Sequence, residues 1–509
     1  MAPLEFDSTI VLSLAFLVSC LVVVISFWSG RKNGLPPSPR SLPIIGNLHQ
    51  LRGGHHHRTL EVLAQRHGPL FFLRLGSVPA IVVSSASVAE AVFKTQDHVF
   101  CSRPPHYTAL GTLYGCRDIA FSPYGDQWRQ SRRIAVVHLL STKRVDSFRA
   151  LRLQEVAGFV QQIRAACGAR EDRGVVNVSE LTVNLTNTVV SKAAFGSKLG
   201  GVEPAIIRDM MKELTEVLDL FAVSDLFPRL RWLDWATGLD ARVKKTAAKL
   251  DGILEGAITE HESSLGDGDG EVRDLMDDLL SILKDGDRGF KLDRIDIKAL
   301  ILDMFLAGVD TTYKTIEWTM AQLVKNPREL AKVQSEVRQI VGGTDEEVIE
   351  VDVEKMSLLH AAIREGLRLT PTIIERETIQ DTRLLGYHIP AKTRVLINAW
   401  AIGRDAELWE NAEEFRPERF LGKAIDYTGK DTKFIPFGAG RRGCPGVGFA
   451  MRLVELTLAN MMYHFDWELP NGQDLESFEV IEADGLSLGL ESALLLGVKP
   501  CTKARTVVG

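Results

Sequence analysis

Cysteine is scarce in this chain: only six of the 509 residues are cysteines, and no two form a Cys-x-x-Cys pair. This argues against a zinc ribbon or a thioredoxin-type redox motif, and sparse thiols in a large chain are typical of a reducing compartment. The chain has no long basic block and a net charge of −6, so nucleic acid is not an expected partner. No Gly-x-Gly-x-x-Gly fingerprint stands out between a strand and a helix, so we expect no dinucleotide site in the chain itself.

A long uncharged run occurs at one place, the N-terminus. Residues 9–28 carry no charge over 20 positions, and a helix rising ~1.5 Å per residue would cross a hydrocarbon core of ~30 Å over that length. Acidic residues precede the run, and Arg31 and Lys32 follow it, which places the rest of the chain on the cytosolic side. The predicted organisation is a membrane anchor at 1–30, a proline-rich hinge at 31–49 and one catalytic domain at 50–509.

The remainder of the chain predicts a mainly α fold with small β-sheets. Short apolar and β-branched runs at 70–75, 80–83 and 393–397 are typical of strands, whereas residues 125–370 have mainly helical patterning. Three adjacent histidines at 55–57 predict a surface loop rather than a metal site, because adjacent side chains do not converge easily on one ion.

One predicted helix, residues 293–325, would be roughly 50 Å long and cross the whole body. Asn326 and Pro327 end it. Its middle reads Ala-Gly-Val-Asp-Thr-Thr from Ala307, and a glycine with two threonines is poor for helix propensity. Two explanations stay open: another helix packs closely through these small residues, or a ligand approaches the backbone there and meets a hydroxyl.

The strongest chemical signal is the segment 436–446, Pro-Phe-Gly-Ala-Gly-Arg-Arg-Gly-Cys-Pro-Gly. Glycine allows backbone to approach a flat cofactor and to point N–H groups at a sulfur. Those donors, the adjacent arginines and the N-terminus of a following helix favour the thiolate form of Cys444. A thiolate is a protein ligand of haem iron. The alternative is a glycine-rich loop that contains a buried cysteine.

This segment resembles the haem-binding signature of the cytochrome P450 family, Phe-x-x-Gly-x-Arg-x-Cys-x-Gly. Four further motifs of that family occur in the family's order, and the chain is most similar to plant microsomal P450s of the A-type group. The matching residues are Phe437, Gly440, Arg442, Cys444 and Gly446; Trp128 and Arg132; Ala307, Gly308, Asp310 and Thr311; Glu365 and Arg368; and Arg419 within Phe-Arg-Pro-Glu-Arg-Phe.

The resemblance implies the P450 fold and a haem b whose iron is held by Cys444. It also implies that Trp128, Arg132 and Arg442 bind the haem propionates, a task suited to the planar, permanently charged guanidinium. Arg376 aligns with a further propionate ligand, but the segment before it is shorter than in relatives, so its role stays open. The other signature residues expected beside the cofactor are Phe437, Gly440, Gly446, Ala307 and Gly308.

Two further sets of residues take roles from the resemblance. Asp310 and Thr311 are expected to deliver protons, since a carboxylate and a hydroxyl can relay them into a pocket that otherwise excludes water. Glu365 and Arg368, at i and i+3 on a helix, are expected to join Arg419 in a buried structural lock near the haem loop.

The implied activity is that of a monooxygenase that inserts one atom of O2 into a lipophilic small molecule, such as a plant specialised metabolite. Electrons would come from NADPH through a separate P450 reductase, and the protein would be a single-pass protein of the endoplasmic reticulum membrane. The expected docking patch near Cys444 consists of Arg129, Arg133, Lys143 and Arg441. The expected pocket walls are 104–120, 209–222, 370–375 and 486–490.

Two other functions fit a thiolate-bound haem. An isomerase or dehydratase would rearrange an oxygenated substrate without O2 or a reductase, and the Asp310-Thr311 pair argues against it. A haem-based sensor or carrier would consume no NADPH and would have no open pocket.

Overall fold

The computed structural model describes residues 34–51, 53–167, 174–196, 204–264, 273–285, 292–342, 348–371, 373–470, 473–483, 485 and 488–501. The predicted anchor at 9–28 lies outside these ranges. Within them, no helix is both long and apolar enough to cross a membrane.

Helices form most of the described body, as the sequence predicts. In chain order they are α1 His56–His67, α2 Ala86–Glu90, α3 Tyr107–Thr112, α4 Asp126–Ile134, α5 Thr142–Ser147, α6 Arg149–Ala166, α7 Val178–Phe195, α8 Pro204–Leu218, α9 Trp232–Ala236, α10 Leu239–Ser264, α11 Leu275–Asp285, α12 Arg294–Lys325, α13 Pro327–Val341, α14 Glu350–Val353, α15 Ser357–Leu369, α16 Ala399–Gly403 and α17 Val447–His464.

The strands form small sheets at the edges of the helical body. A four-stranded sheet has the order β1-β2-β7-β4, in which β2 and β7 are parallel and the other pairs are antiparallel. A three-stranded antiparallel sheet has the order β3-β11-β8. The strands are β1 Leu70–Leu75, β2 Val78–Val83, β3 Gly174–Asn177, β4 Ile373–Glu377, β5 Thr382–Leu384, β6 Tyr387–Ile389, β7 Arg394–Asn398, β8 Phe465–Glu468, β9 Glu482–Ala483, β10 Gly489–Leu490 and β11 Leu495–Pro500.

Helix α12 is the axis of the fold, and the structure confirms its prediction. Asp293 caps its N-terminus in a reciprocal capping box with Asp296, which satisfies two backbone N–H groups that the helix leaves open. Asn326 ends the helix, and Pro327 opens α13, because a proline disfavours helical backbone in the residue before it.

Two apolar clusters divide α12 between them. Its first half, including Leu300 and Phe305, packs with α7, α8, α10 and α11. Its second half, including Met320 and Leu323, packs with α13, α15 and α17. The change from one cluster to the other falls between Val309 and Ile316, directly after the Ala-Gly step that the sequence singles out.

The prediction of a surface loop at the three histidines is wrong. His57 lies on α1 with only 3% of its surface exposed, and its Nε2 is 2.9 Å from Glu482 Oε2. The His57 ring also packs 4.9 Å from that of Trp400. Glu482 lies 425 residues further along the chain, so a local reading of the sequence could not find this partner.

The predicted lock around Glu365 is present, with Glu365 and Arg368 fully buried and Arg419 half-buried. Arg368 donates to both carboxylate oxygens of Glu365 at 2.8 Å, and Arg419 Nε donates to Oε1 at 2.9 Å. Arg368 also reaches the carbonyl oxygens of Gly403 and Ala412, at 2.5 and 2.7 Å. The lock therefore joins α15 to the end of α16 and to the segment that contains Ala412 and Arg419.

We expect Glu365→Gln to lower the free energy of unfolding by about 3–5 kcal/mol, because it leaves a buried guanidinium without its counter-charge. Denaturant unfolding of the variant checks this. The matched control is Glu410→Gln on the loop beside Arg419, whose side chain is 84% exposed and which should change stability by less than about 0.5 kcal/mol. Equal stability of the two variants would contradict the lock.

Candidate active site

The loop before α17 holds Cys444 in a fixed backbone frame. Gly438 and Gly440 have φ values of 68° and 66°, which side chains rarely tolerate. A Cβ on Gly440 would lie only 2.8 Å from the Phe93 carbonyl oxygen. The position therefore has no room for a side chain, in addition to its unusual φ value. The Cys444 N–H donates to the Phe437 carbonyl at 2.9 Å. The glycines therefore set the position of the thiol.

The Cys444 thiol is solvent-accessible, yet it lies deep in the body. Burial raises the pKa of the thiol, while the N–H of Gly446, the charge of Arg132 and the N–H of Val447 act in the opposite direction. The thiol thus lies in the body at the N-terminus of α17 with accessible space beside it, where backbone donors and positive charge can stabilise a thiolate.

Helix α12 has an accessible stretch in its middle. Ala307 and Thr311 are exposed, although most of α12 is buried, and the Thr311 hydroxyl donates to the Ala307 carbonyl at 2.6 Å. Because α12 packs on α17, these positions and the thiol lie on neighbouring elements. Gly308 has a different surrounding: a Cβ there would be 3.2 Å from Val190 Cγ2. Gly308 therefore permits the close crossing of α7 and α12, as the first explanation predicts, while the approach of a ligand to Thr311 stays a prediction.

Arginines gather beneath the Cys444 loop. Arg442 donates to the carbonyls of Cys101, Ile119 and Ser122 at 2.7, 3.1 and 2.5 Å, and its guanidinium lies 4.1 Å from the ring centre of Trp128. Arg132 Nη2 donates to the Gly443 carbonyl at 2.5 Å. Three of the predicted propionate ligands are thus brought to one place around Cys444.

Arg376 also lies near Arg442 beneath the Cys444 loop, although the segment that precedes Arg376 is short. The residue is 2% exposed, and its Nη2 makes no hydrogen bond to the described part of the chain. Burial lowers the pKa of Arg376 well below its usual range, and the charges of Arg103 and Arg442 lower it further. Burial also lowers the pKa of Arg442 to about 9, again with Arg103 next in effect. Buried cations that repel one another form a site for an anion.

The sequence model of the Cytochrome P450 family matches residues 36–489. The chain belongs to the cytochrome P450 family. It is 45% identical over 462 residues to Cytochrome P450 71A1 of Persea americana, covering 89% of this chain and 91% of that one. It is 44% identical over 476 residues to norfluorocurarine oxidase of a Strychnos species, covering 91% and 92%. Its fold is similar to that of a zebra fish cytochrome P450 solved with progesterone, with a TM-score of 0.74, 27% identity and coverage of 88% and 100%.

The residues present in this P450 fit a haem. The accessible thiol of Cys444 offers an iron ligand. The unpaired Nη2 of Arg376 and the repulsion among Arg103, Arg376 and Arg442 call for negative charge, which two propionates would supply. Trp128 donates through Nε1 to the Ile119 carbonyl at 3.1 Å, so its direct contact with a propionate stays a prediction.

Arg103 is a residue of the P450 site that the sequence analysis missed. Its Nη1 donates to the Glu375 carbonyl, and its Nε makes no hydrogen bond to the described residues. No signal in the neighbouring sequence identifies Arg103, because the residue that it contacts lies on β4, more than 270 residues later.

A pair of carboxyl groups fastens the loop after α3 to α12. Asp303 on α12 accepts a hydrogen bond from the Ile119 N–H, and Asp118 Oδ1 accepts one from the Phe121 N–H at 2.6 Å. Burial, and then the nearby Asp118, raise the pKa of Asp303 well above its usual range. The hydrogen bond from Ile119 to Asp303 keeps the loop on the helix one turn before Ala307.

His106 joins two predicted pocket walls of the P450, 104–120 and 370–375, to the turn between α8 and α9. Its Nε2 lies 2.7 Å from Glu375 Oε2 on β4, and its Nδ1 lies 3.6 Å from Asp225 Oδ2, in the turn between α8 and α9. Burial lowers the pKa of His106, but the hydrogen bonds to Asp225 and Glu375 outweigh it and raise the pKa to about 9. The imidazolium therefore ties the loop before α3 to both neighbours at neutral pH.

We expect His106→Gln to destabilise the protein at pH 6.5 and to have little effect at pH 9.5. The folded-state pKa lies above that of an unfolded histidine, so the stabilisation is complete below the unfolded value and disappears as the pH rises through about 9. Thermal unfolding midpoints across this range check it. His56→Gln, at an exposed position of α1, is the control. A midpoint difference between His106→Gln and the native protein that does not change with pH would refute the ionic role.

Proposed function

We propose that this P450 inserts one atom of O2 into a lipophilic plant metabolite, with electrons from NADPH passed through a separate reductase. The observation that carries the proposal is the accessible Cys444 thiol beside α12, on which Thr311 presents a hydroxyl to the interior. When bound through a thiolate, haem supplies the activation of O2.

The residues of the chain have distinct parts in this proposal. Cys444 and the arginines bind and orient the cofactor. Thr311 can hold and pass a proton at Oγ1, which already donates to the Ala307 carbonyl. Asp310 directly precedes Thr311 in the sequence. Its Oδ2 accepts a hydrogen bond from Lys314 Nζ at 2.9 Å. An isomerase or dehydratase has no need of this acid and hydroxyl, so their presence favours the oxygenase.

The lipophilic nature of the substrate is supported by the walls that surround the site. Segments 107–112, 209–218 and 373–377 lie on α3, α8 and β4, and each contributes apolar side chains. One relative is named as an oxidase of norfluorocurarine, which agrees with an organic small molecule as the substrate class. Residues 486 and 487 of the fourth predicted wall lie outside the described part of the chain.

A membrane location is supported by one apolar face. Gly76 N–H donates to the Ile45 carbonyl and Ser77 N–H to the Leu226 carbonyl, so the turn after β1 joins the segment that follows the anchor to the segment between α8 and α9. Aromatic side chains favour the membrane interface, and we infer that this face lies on the bilayer. The most exposed apolar residues of the two segments and of α9 are Leu42, Ile44, Phe221, Trp232 and Trp235.

A reductase site is proposed on the other side of the Cys444 loop. Arg132 anchors α4 to this loop through Gly443, and the neighbouring Arg129, Arg133, Lys143 and Arg441 are exposed. This basic surface suits an acidic partner, which would approach the thiolate side of the cofactor.

The deciding experiment is the spectrum of the reduced, carbon-monoxide-treated protein. We expect the red-shifted Soret band of a thiolate-ligated haem, and we expect Cys444→Ser to abolish it. Cys167→Ser, which alters a buried thiol at the end of α6 that donates to the Ile163 carbonyl, should leave the band unchanged. A native protein that lacks the band would overturn the proposal.

Thr311→Ala tests the oxygenase against the alternatives. The variant should bind haem and substrate normally but release peroxide, with the product formed per NADPH falling on the order of tenfold, because a group that passes protons is removed. Thr315→Ala removes a similar hydroxyl-to-carbonyl bond one turn further on and should retain the native ratio. A native ratio in Thr311→Ala would contradict the role of Thr311, and an absence of NADPH use in every protein would favour the isomerase or the sensor.

A further inference from the structure

Three ionisable side chains lie in a line on α12 beside the candidate active site. Asp310, Lys314 and Glu317 are spaced i, i+4 and i+7, so they share one helix face. This face adjoins the one that presents Ala307 and Thr311 to the interior. Lys314 Nζ is 2.9 Å from Asp310 Oδ2, and Glu317 stands one turn further along.

Glu317 is an acid that the proposed reaction leaves unused, and it is 3% exposed. The Ser179 hydroxyl on α7 donates to its Oε1. Burial raises the pKa of Glu317 to about 7, and the charge of Asp310 acts in the same direction, against Ser179, Lys314 and the N–H of Leu490. Glu317 therefore gains and loses a proton in the range where the enzyme would work.

Ser179 connects Glu317 towards the protein surface. Its hydroxyl oxygen also accepts a hydrogen bond from the Leu494 N–H at 2.8 Å, in the segment before β11. The residues directly before Leu494 are exposed. Ser179 is half-buried, so Glu317 is bonded to a partly solvent-exposed residue at this end of the line, whereas Asp310 stands at the end beside Thr311.

Lys314 can serve either acid. Its side chain passes over Gly489, where an added Cβ would be 3.2 Å from Lys314 Cε. A lysine carries its charge on a flexible four-carbon stem, and the two acids stand on either side of it along the helix. The ammonium can therefore follow the negative charge from one acid to the other.

We propose that Glu317 stores the proton that Asp310 passes towards Thr311, and that Lys314 exchanges its carboxylate partner as the proton moves. This inference rests on the proposed oxygenase function and adds a positioning residue to it.

The exchange is balanced in atoms and charge. The O–H bond of the Glu317 carboxylic acid breaks, and an O–H bond forms on the Asp310 carboxylate. The Lys314 ammonium leaves Asp310, which has become neutral, and pairs with Glu317, which has become negative. One proton and one ion pair are present before and after, so the buried net charge does not change. This avoids the cost of an unpaired buried charge.

The test uses the full-length haem protein and two readouts. The infrared C=O band of protonated carboxyl groups should lose intensity between pH 6 and 8, and Glu317→Gln should remove one component of that loss. In the native protein, product formed per NADPH should fall as pH rises through about 7, because the store empties. Glu317→Gln should lower this ratio on the order of tenfold and remove the pH step, since the group acts through Asp310.

Glu455→Gln is a matched control, because Glu455 on α17 is also a partly buried acid whose pKa burial raises to about 7. It should remove its own infrared component and leave the product ratio unchanged. Ser179→Ala removes a donor to Glu317 and should shift both the infrared midpoint and the pH step upward, which keeps the proposal testable if Glu317→Gln folds poorly.

A carboxyl loss that is unchanged in Glu317→Gln would overturn the store, and so would a native product ratio at every pH in that variant. The carbon-monoxide band separates this failure from that of the function itself. With the band present, a carboxyl loss that Glu317→Gln leaves unchanged removes only the role of Glu317. With the band absent, the oxygenase assignment falls, and the store falls with it.

Discussion

Positive charge buried beneath the Cys444 loop is the constraint on which the rest of the site depends. Arg103, Arg376 and Arg442 lie close enough for each to oppose the protonation of another, and uncompensated buried charges cost several kcal/mol each. Arg442 spreads its hydrogen bonds over three carbonyls from the segment 101–122. The cations therefore also position that segment, and an anionic cofactor would stabilise both the charges and the loops that they hold.

Signals from residues close together in the sequence were sufficient to predict the framework of the fold. The ends of α12 follow from Asp293 and from Asn326-Pro327, whose effects act within a few residues. The Cys444 loop was also visible, because its glycines, cysteine and arginines are adjacent in sequence. The lock at Glu365 needed one long-range partner, Arg419, which only the family resemblance suggested.

The parts that could not be predicted depend on distant partners. His57 looked like a loop residue because Glu482 lies far along the chain, and Arg103 gave no signal because its partner is on β4. The short segment before Arg376 left its position undecided in the sequence. The pairing of β4 with β7 places Arg376 at the site. The pKa of Glu317 depends on burial by α7 and β10, which helical periodicity alone does not reveal.

The wall of the pocket is held by polar contacts rather than by packing alone. His106 binds the segment before α3 to Glu375 and Asp225, while Asp303 holds the segment beyond it to α12. Such contacts depend on protonation, whereas apolar packing does not. The contacts of His106 therefore weaken when the imidazolium loses its proton, whereas the two apolar clusters that flank α12 are unaffected.

Helix α12 combines its roles because successive side chains project about 100° apart. Gly308 faces α7, where only a small residue permits the crossing. Ala307 and Thr311, one turn apart, face the interior, and Asp310 and Glu317 lie on the adjoining face beside Lys314. A shift of one residue towards the N-terminus would place Val309 in the helix crossing and Gly308 at the exposed position that Ala307 holds. The order Ala-Gly-Val-Asp-Thr is therefore set by helical geometry together with the chemistry, and neither requirement alone would specify it.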